Sequence, residues 1–262
     1  NGAVTLTTMA GRNVTVDASD ALNGVTYGEI TVTNSATING ATLSNNTATV
    51  NTAGTSFTGV LNGGIGEDAY TVNVAETTTT LNLSGDLDIQ GDGENDSVEV
   101  SIATGATTAY TATYKAQGVE ELTFRFVDTD DVVTLTAGSS LAGVNTLEVI
   151  EGTVDVPAAG GFEGQNLIVG SGVRMTTAQF ASITSIDAQD ADAEISIEIN
   201  SVEEAQRVAE VFESLATGTI KPSFRLFIAQ AIINEAEVTT AISSIATSGD
   251  ANAVFQEEVA TD

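Results

Sequence analysis

The residues best placed to do chemistry are Gly63-Gly64-Ile65-Gly66-Glu67-Asp68-Ala69-Tyr70. Glycines let a turn tighten until backbone carbonyls crowd inward, and a carboxylate beside them suits a hard, oxygen-seeking cation, calcium above all. A second acidic group, Asp128-Thr129-Asp130-Asp131, stands at the entrance to the apolar run Val132-Val133-Thr134-Leu135-Thr136. Carboxylates spaced this closely repel one another unless a cation or solvent comes between them, which makes Asp128, Asp130 and Asp131 further candidate ligands.

Other chemistries are poorly supplied. The chain has neither cysteine nor histidine, so it offers no disulfide, thiolate nucleophile, imidazole base or zinc site of the usual kind. Its seven basic residues, Arg12, Lys115, Arg125, Arg174, Arg207, Lys221 and Arg225, are scattered, and no phosphate loop or serine-centred motif occurs. No assembled set of catalytic groups emerges, and the chain is expected not to be an enzyme.

Charge narrows the partners. With 36 acidic and 7 basic residues the net charge is -29, which repels nucleic acid and anionic membrane and leaves cations and glycans as the compatible partners. The acids are unevenly placed: residues 1–60 hold only Asp17, Asp20 and Glu29. No apolar run is long enough to span a bilayer, so no membrane insertion is expected.

The elements that must position these residues are short strands. Apolar beats recur in runs of three to five residues, as in Ile30–Thr33, Ala36–Ile38, Ala41–Leu43, Ala48–Val50, Phe57–Leu61 and Tyr70–Val74, with Gly, Asn and Ser between them. Tryptophan is absent and aromatics make up 5%, so the core material is small and largely β-branched. This texture predicts a mainly β protein, a β-solenoid or β-roll of short strands over 1–199, with tandem β-sandwiches as the alternative.

The pattern then changes. Thr176–Ile183 reads as a short capped helix, and Ser201-Val202-Glu203-Glu204 reads as a capping box ahead of Val202, Ala205, Val208, Val211, Phe212 and Leu215 at helical spacing. Pro222 is expected to open a second helix to about Asn234, and a third is expected over Ala236–Ala246. Residues 200–262 therefore read as a helical unit that caps the β region or serves assembly.

The turn at 63–70 resembles the nonapeptide repeat of the RTX, or haemolysin-type, calcium-binding family, matching it at Gly63, Gly64, Gly66, Asp68 and Tyr70. That resemblance implies Asp68 as a side-chain ligand and Gly64 and Gly66 as carbonyl donors. Gly91-Asp92-Gly93-Glu94-Asn95-Asp96-Ser97-Val98 looks like a looser copy with Glu94 inserted, implying Asp96 and Asp92 as ligands. In a roll of nine-residue repeats one coil is 18 residues, which would stack Asp86 on Asp68. The tandem array of the family is missing, so the resemblance implies isolated sites on longer rungs.

The wider Thr-, Ala-, Asn- and Gly-rich texture is similar to bacterial surface-layer proteins. It implies a secreted structural protein at the bacterial cell surface that folds with calcium and self-assembles into a layer, filament or sheath. An adhesin or glycan-binding module, or a fibre component, is the alternative. A cell-surface glycan would then be the partner, and Tyr110, Tyr114, Phe124 and Phe126 the aromatic residues to hold it.

Overall fold

The computed structural model describes residues 4–21, 25–87, 95–103, 109–156, 160, 162 and 166–247. It is a parallel β-solenoid of 19 strands arranged in two ladders. The first ladder runs through β1 (Val4–Leu6), the start of β3 (Val25–Asn39), β4 (Thr47–Thr52), β6 (Ala69–Val74), β8 (Ser97–Ile102), β10 (Glu121–Phe126), β12 (Thr146–Ile150), β14 (Asn166–Val169), β16 (Ser185–Ala188) and β18 (Ala216–Thr217). The second runs through β2 (Met9–Asp17), the end of β3, β5 (Ser56–Asn62), β7 (Thr80–Asp86), β9 (Ala109–Gln117), β11 (Val132–Leu135), β13 (Thr153–Asp155), β15 (Gly172–Thr176), β17 (Glu194–Ile199) and β19 (Ser223–Ile228). Every strand pairing is parallel, which removes the sandwich alternative.

Alternation explains the core. In β6, Tyr70, Val72 and Val74 point inward and are buried while Ala69, Thr71 and Asn73 face out, and β8 repeats this with Val98, Val100 and Ile102. The in-register pairs stack inward residues on inward residues, so that one apolar cluster extends from the first rung to the last. Outward positions form polar columns, including Asn39 on Asn62 and Asn51 on Asn73 through amide bonds of 2.8 and 2.7 Å. Stacked groups on successive rungs lie from 19 to 28 residues apart in sequence. The rung is therefore longer and more variable than the 18 residues of a nine-residue-repeat roll.

Three departures from expectation have local causes. Ile30–Thr33 and Ala36–Ile38 belong to the single strand β3, which bends from one ladder to the other. The expected strand Ala41–Leu43 is a turn, with Leu43 54% exposed at its tip. The expected helix at Pro222–Asn234 is instead β19. Ser-Phe-Arg-Leu-Phe-Ile has period two as well as apolar pairs at helical spacing, and pairing with β17 decides between them: Phe224, Leu226 and Ile228 sit on Ile195, Ile197 and Ile199.

The helices α1 (Thr177–Phe180), α2 (Val202–Ser214) and α3 (Ala236–Thr247) follow β15, β17 and β19 respectively, so each occupies the same corner of consecutive rungs. α1 has a capping box in which the Thr176 hydroxyl accepts from the Gln179 amide and the Gln179 side chain returns to Thr176. At α2 the Ser201 hydroxyl accepts from the Glu204 amide at 3.1 Å, and the Glu204 carboxylate reaches back to the Asn200 amide rather than to that of Ser201. The ladders continue past residue 199 through β18 and β19, and α2 packs into the same core by Ala205, Val208 and Phe212.

The rings of Phe180, Phe212 and Phe224 meet with centroids 4.5 to 6.1 Å apart. Removing Phe224 opens a cavity in this cluster, and Phe224→Ala is expected to cost about 3–5 kcal/mol in chemical denaturation. Phe227 faces outward, so Phe227→Ala should cost clearly less; equal losses would contradict the strand.

Candidate functional site

The glycine-rich turn ends on Asp68, which is fully buried. Its Oδ2 accepts from the Gly64 amide at 2.6 Å, and its Oδ1 accepts from both the backbone amide and the side-chain Nδ2 of Asn46 on the preceding rung. A buried carboxylate is costly unless hydrogen bonds replace its water, and three N–H donors do so here. The glycines permit the approach. A Cβ on Gly64 would lie 2.1 Å from the Ala41 carbonyl oxygen, and Gly66 has a φ of +100°.

The arrangement repeats along the solenoid. The Asp68 amide donates to Asp96 Oδ1 at 2.7 Å, and the Asp96 amide donates to Glu120 Oε2 at 2.9 Å. Asn46, Asp68, Asp96 and Glu120 each stand just before a first-ladder strand, beside Thr47, Ala69, Ser97 and Glu121. At this corner, amides of one rung find their acceptor in a side chain of the next. Asn46 itself closes the first link, accepting from the Ala41 amide and donating to the Ala41 and Ser44 carbonyls. The charge is felt in the core: burial, then the Asp68 carboxylate, pushes Tyr27 up to about 12, and the same two causes raise Tyr70, whose hydroxyl donates to the Asn62 carbonyl.

Of the other residues singled out with this turn, Asp86 stacks on Asn62 and Gln117 rather than on Asp68, because the rung is longer than 18 residues. Asp92 lies outside the described residues. Asn46 and Glu120 belong to the column without having been recognised as site residues. Their signal was positional, since each precedes a strand start as Asp68 does.

The 128–131 cluster differs. Asp128 and Asp130 are exposed, and the Asp130 amide caps Asp128 Oδ1 at 3.2 Å. Asp131 is 1% exposed, lies just beneath the surface, and has an Oδ2 without a hydrogen-bond partner. Burial raises its pKa first, and the charges of Asp128 and Asp130 raise it further. The Tyr110 hydroxyl is also buried without a partner, and its pKa is raised by burial, then by Asp131 and Glu76. Among the described residues no three acidic side chains converge closely enough to hold a metal, so binding there would need Asp128 and Asp130 to swing inward.

The basic residues serve as ties between rungs. Arg174 joins Glu198 at 2.7 Å, lies 3.9 Å from Asp155 and covers the Phe227 ring at 4.8 Å, while Arg225 holds Glu194 at 2.9 Å and Arg125 holds Glu99 at 3.3 Å. Tyr110, Tyr114, Phe124 and Phe126 are all core residues and present no aromatic platform to a sugar.

Fold and column together define a parallel β-solenoid protein whose buried acidic side chains bridge successive rungs. No protein-family model matches the chain, and no curated protein or solved structure is similar to it. Among the described residues no helix is long and apolar enough to cross a membrane.

Asp68→Ala strands three buried donors and is expected to cost at least about 3 kcal/mol, measured by denaturant titration. The loss should be the same with calcium or chelator, since the partners of the carboxylate are N–H groups; a loss seen in calcium alone would return Asp68 to the metal.

Proposed function

We propose that this chain is a secreted structural protein of the bacterial cell surface, a rigid β-solenoid that calcium braces and that self-assembles into a layer, filament or sheath. The observation that carries the reading is Asp131, a buried carboxylate with an unpartnered oxygen, flanked by Asp128 and Asp130 at a strand entrance. Oxygen donors of this kind suit a hard cation, which would cancel the repulsion among the three aspartates. Asp131 would be the fixed ligand, and the exposed Asp128 and Asp130 would close over the ion.

The rest of the molecule supports a scaffold. Its polar side chains are committed to rung-to-rung ladders and its arginines to inter-rung ion pairs, an arrangement that resists bending and repeats along one axis. Calcium outside the cell would shift folding toward the native state by mass action, while the low calcium of a cytosol would not.

Two measurements test the metal. Calcium should raise the melting temperature of the unaltered chain and chelator should reverse it, whereas Asp131→Asn should melt about 2–4 °C higher than the unaltered chain in chelator and gain nothing from calcium. A melting temperature indifferent to calcium, or an undiminished calcium response in Asp131→Asn, would sink the reading.

The pH dependence has a definite sign. The folded pKa of Asp131 lies above its unfolded value, so its contribution favours folding below the ordinary carboxylate range and is lost as pH rises through the raised folded value. In chelator, Asp131→Asn should flatten the stability profile in that window. An unchanged profile would show that the buried carboxyl carries no penalty.

A further inference from the structure

The first rung is open where later rungs are closed. β1 and β2 pair with β3 on one side, and no described strand lies along their other edge. Their inward side chains Leu6, Met9 and Val14 are only partly covered, whereas Tyr27, Ile30 and Ala36, stacked directly on them, are 4% exposed or less. The other end of the solenoid is sealed. Phe224, Leu226 and Ile228 of β19 are at most 2% exposed, and Val238 and Ile245 of α3 belong to the same core.

Charge distinguishes this end as well. The stretch 4–17 contains one base, Arg12, and one acid, Asp17, which cancel, in a chain of net charge -29. Two copies that approach through their acid-rich later rungs repel each other, and through this rung they do not. The stretch also lacks the lysines and prolines that keep exposed strand edges from pairing.

We propose that a second copy of this chain covers the open edge, so that two solenoids meet first rung to first rung. The proposal rests on the self-assembly reading and names its first contact. Because the far end is sealed, the complement of an open rung in another copy is the same open rung. Such a contact is isologous about a twofold axis and closes as a dimer. A twofold lying in the plane of the rung reverses the strand direction, so the edge strands meet antiparallel, a pairing that satisfies their free amides and carbonyls. Leu6, Met9 and Val14 of each copy then cover their counterparts.

Sedimentation of the 262-residue chain over a range of concentrations tests this, in calcium and in chelator. A concentration-dependent dimer is expected in both, since the edge carries no acidic cluster. Arg12→Glu changes an exposed side chain without touching the core and gives each face two negative charges. It should weaken the dimer at least about tenfold at low salt and recover at high salt. Val14→Lys should abolish the dimer, and Ile220→Lys near the sealed end should leave it unchanged.

A monomer at every concentration, open-ended growth of particles, or an Arg12→Glu chain that still dimerises at low salt as the unaltered one does would each overturn the proposal. A dimer that persists while calcium has no effect on melting upholds this contact and removes calcium. Calcium-dependent melting with a monomer at all concentrations does the reverse.

Discussion

An amide buried at a corner of the solenoid must find an acceptor on the next rung, and the rest of the structure depends on that constraint. Along the strands the acceptor is a backbone carbonyl, supplied automatically by parallel pairing. At the corner ahead of the first ladder it is a side chain: Asp68 for Asn46, Asp96 for Asp68, and Glu120 for Asp96. These bonds are charge-assisted and sealed from water, which makes each stronger than an exposed equivalent and makes a missing partner costly. Register follows, because a slip by one residue would leave amide and carboxylate both unsatisfied.

The same constraint accounts for features that would otherwise look unrelated. The glycines of the 63–66 turn let the backbone close to contact distance with the Ala41 strand end, and larger residues would hold the rungs apart. The outward asparagine, threonine and arginine columns repeat the logic at the surface, where each hydrogen bond contributes less but where pairing is again between identical positions on consecutive rungs. Helices are accommodated because they replace only corner segments and leave both ladders running, as α2 does between β17 and β18.

The two acidic groups thus play different parts. Asp68 and Asp96 lie within the column, where N–H donors stabilise the negative charge. Asp131 opens a second-ladder strand, where no such donor reaches Oδ2 and two further aspartates crowd close. A cation has something to add at the second place and little at the first. The glycine-rich turn that reads most like a calcium loop is therefore the one whose chemistry the fold already satisfies.

How much was legible depended on whether a signal was local. Strand texture, small β-branched core residues, the helices at 202–214 and 236–247 and the acidic clusters all follow from residue type and spacing, because alternation and capping are properties of a few consecutive residues. Rung length was not legible, since connecting segments vary freely so long as the ladders stay in register, and this misplaced Asp86 against Asp68. Phe224–Ile228 satisfied both periods, and only the waiting edge of β17 made it a strand. Sequence alone determined that the chain is an acidic, cysteine-free, short-stranded β protein with a Gly-Asp turn. Only the tertiary structure decided which acids stack and which stay unpartnered, because stacking joins residues some 19 to 28 positions apart whose shared corner exists only once the rungs have closed.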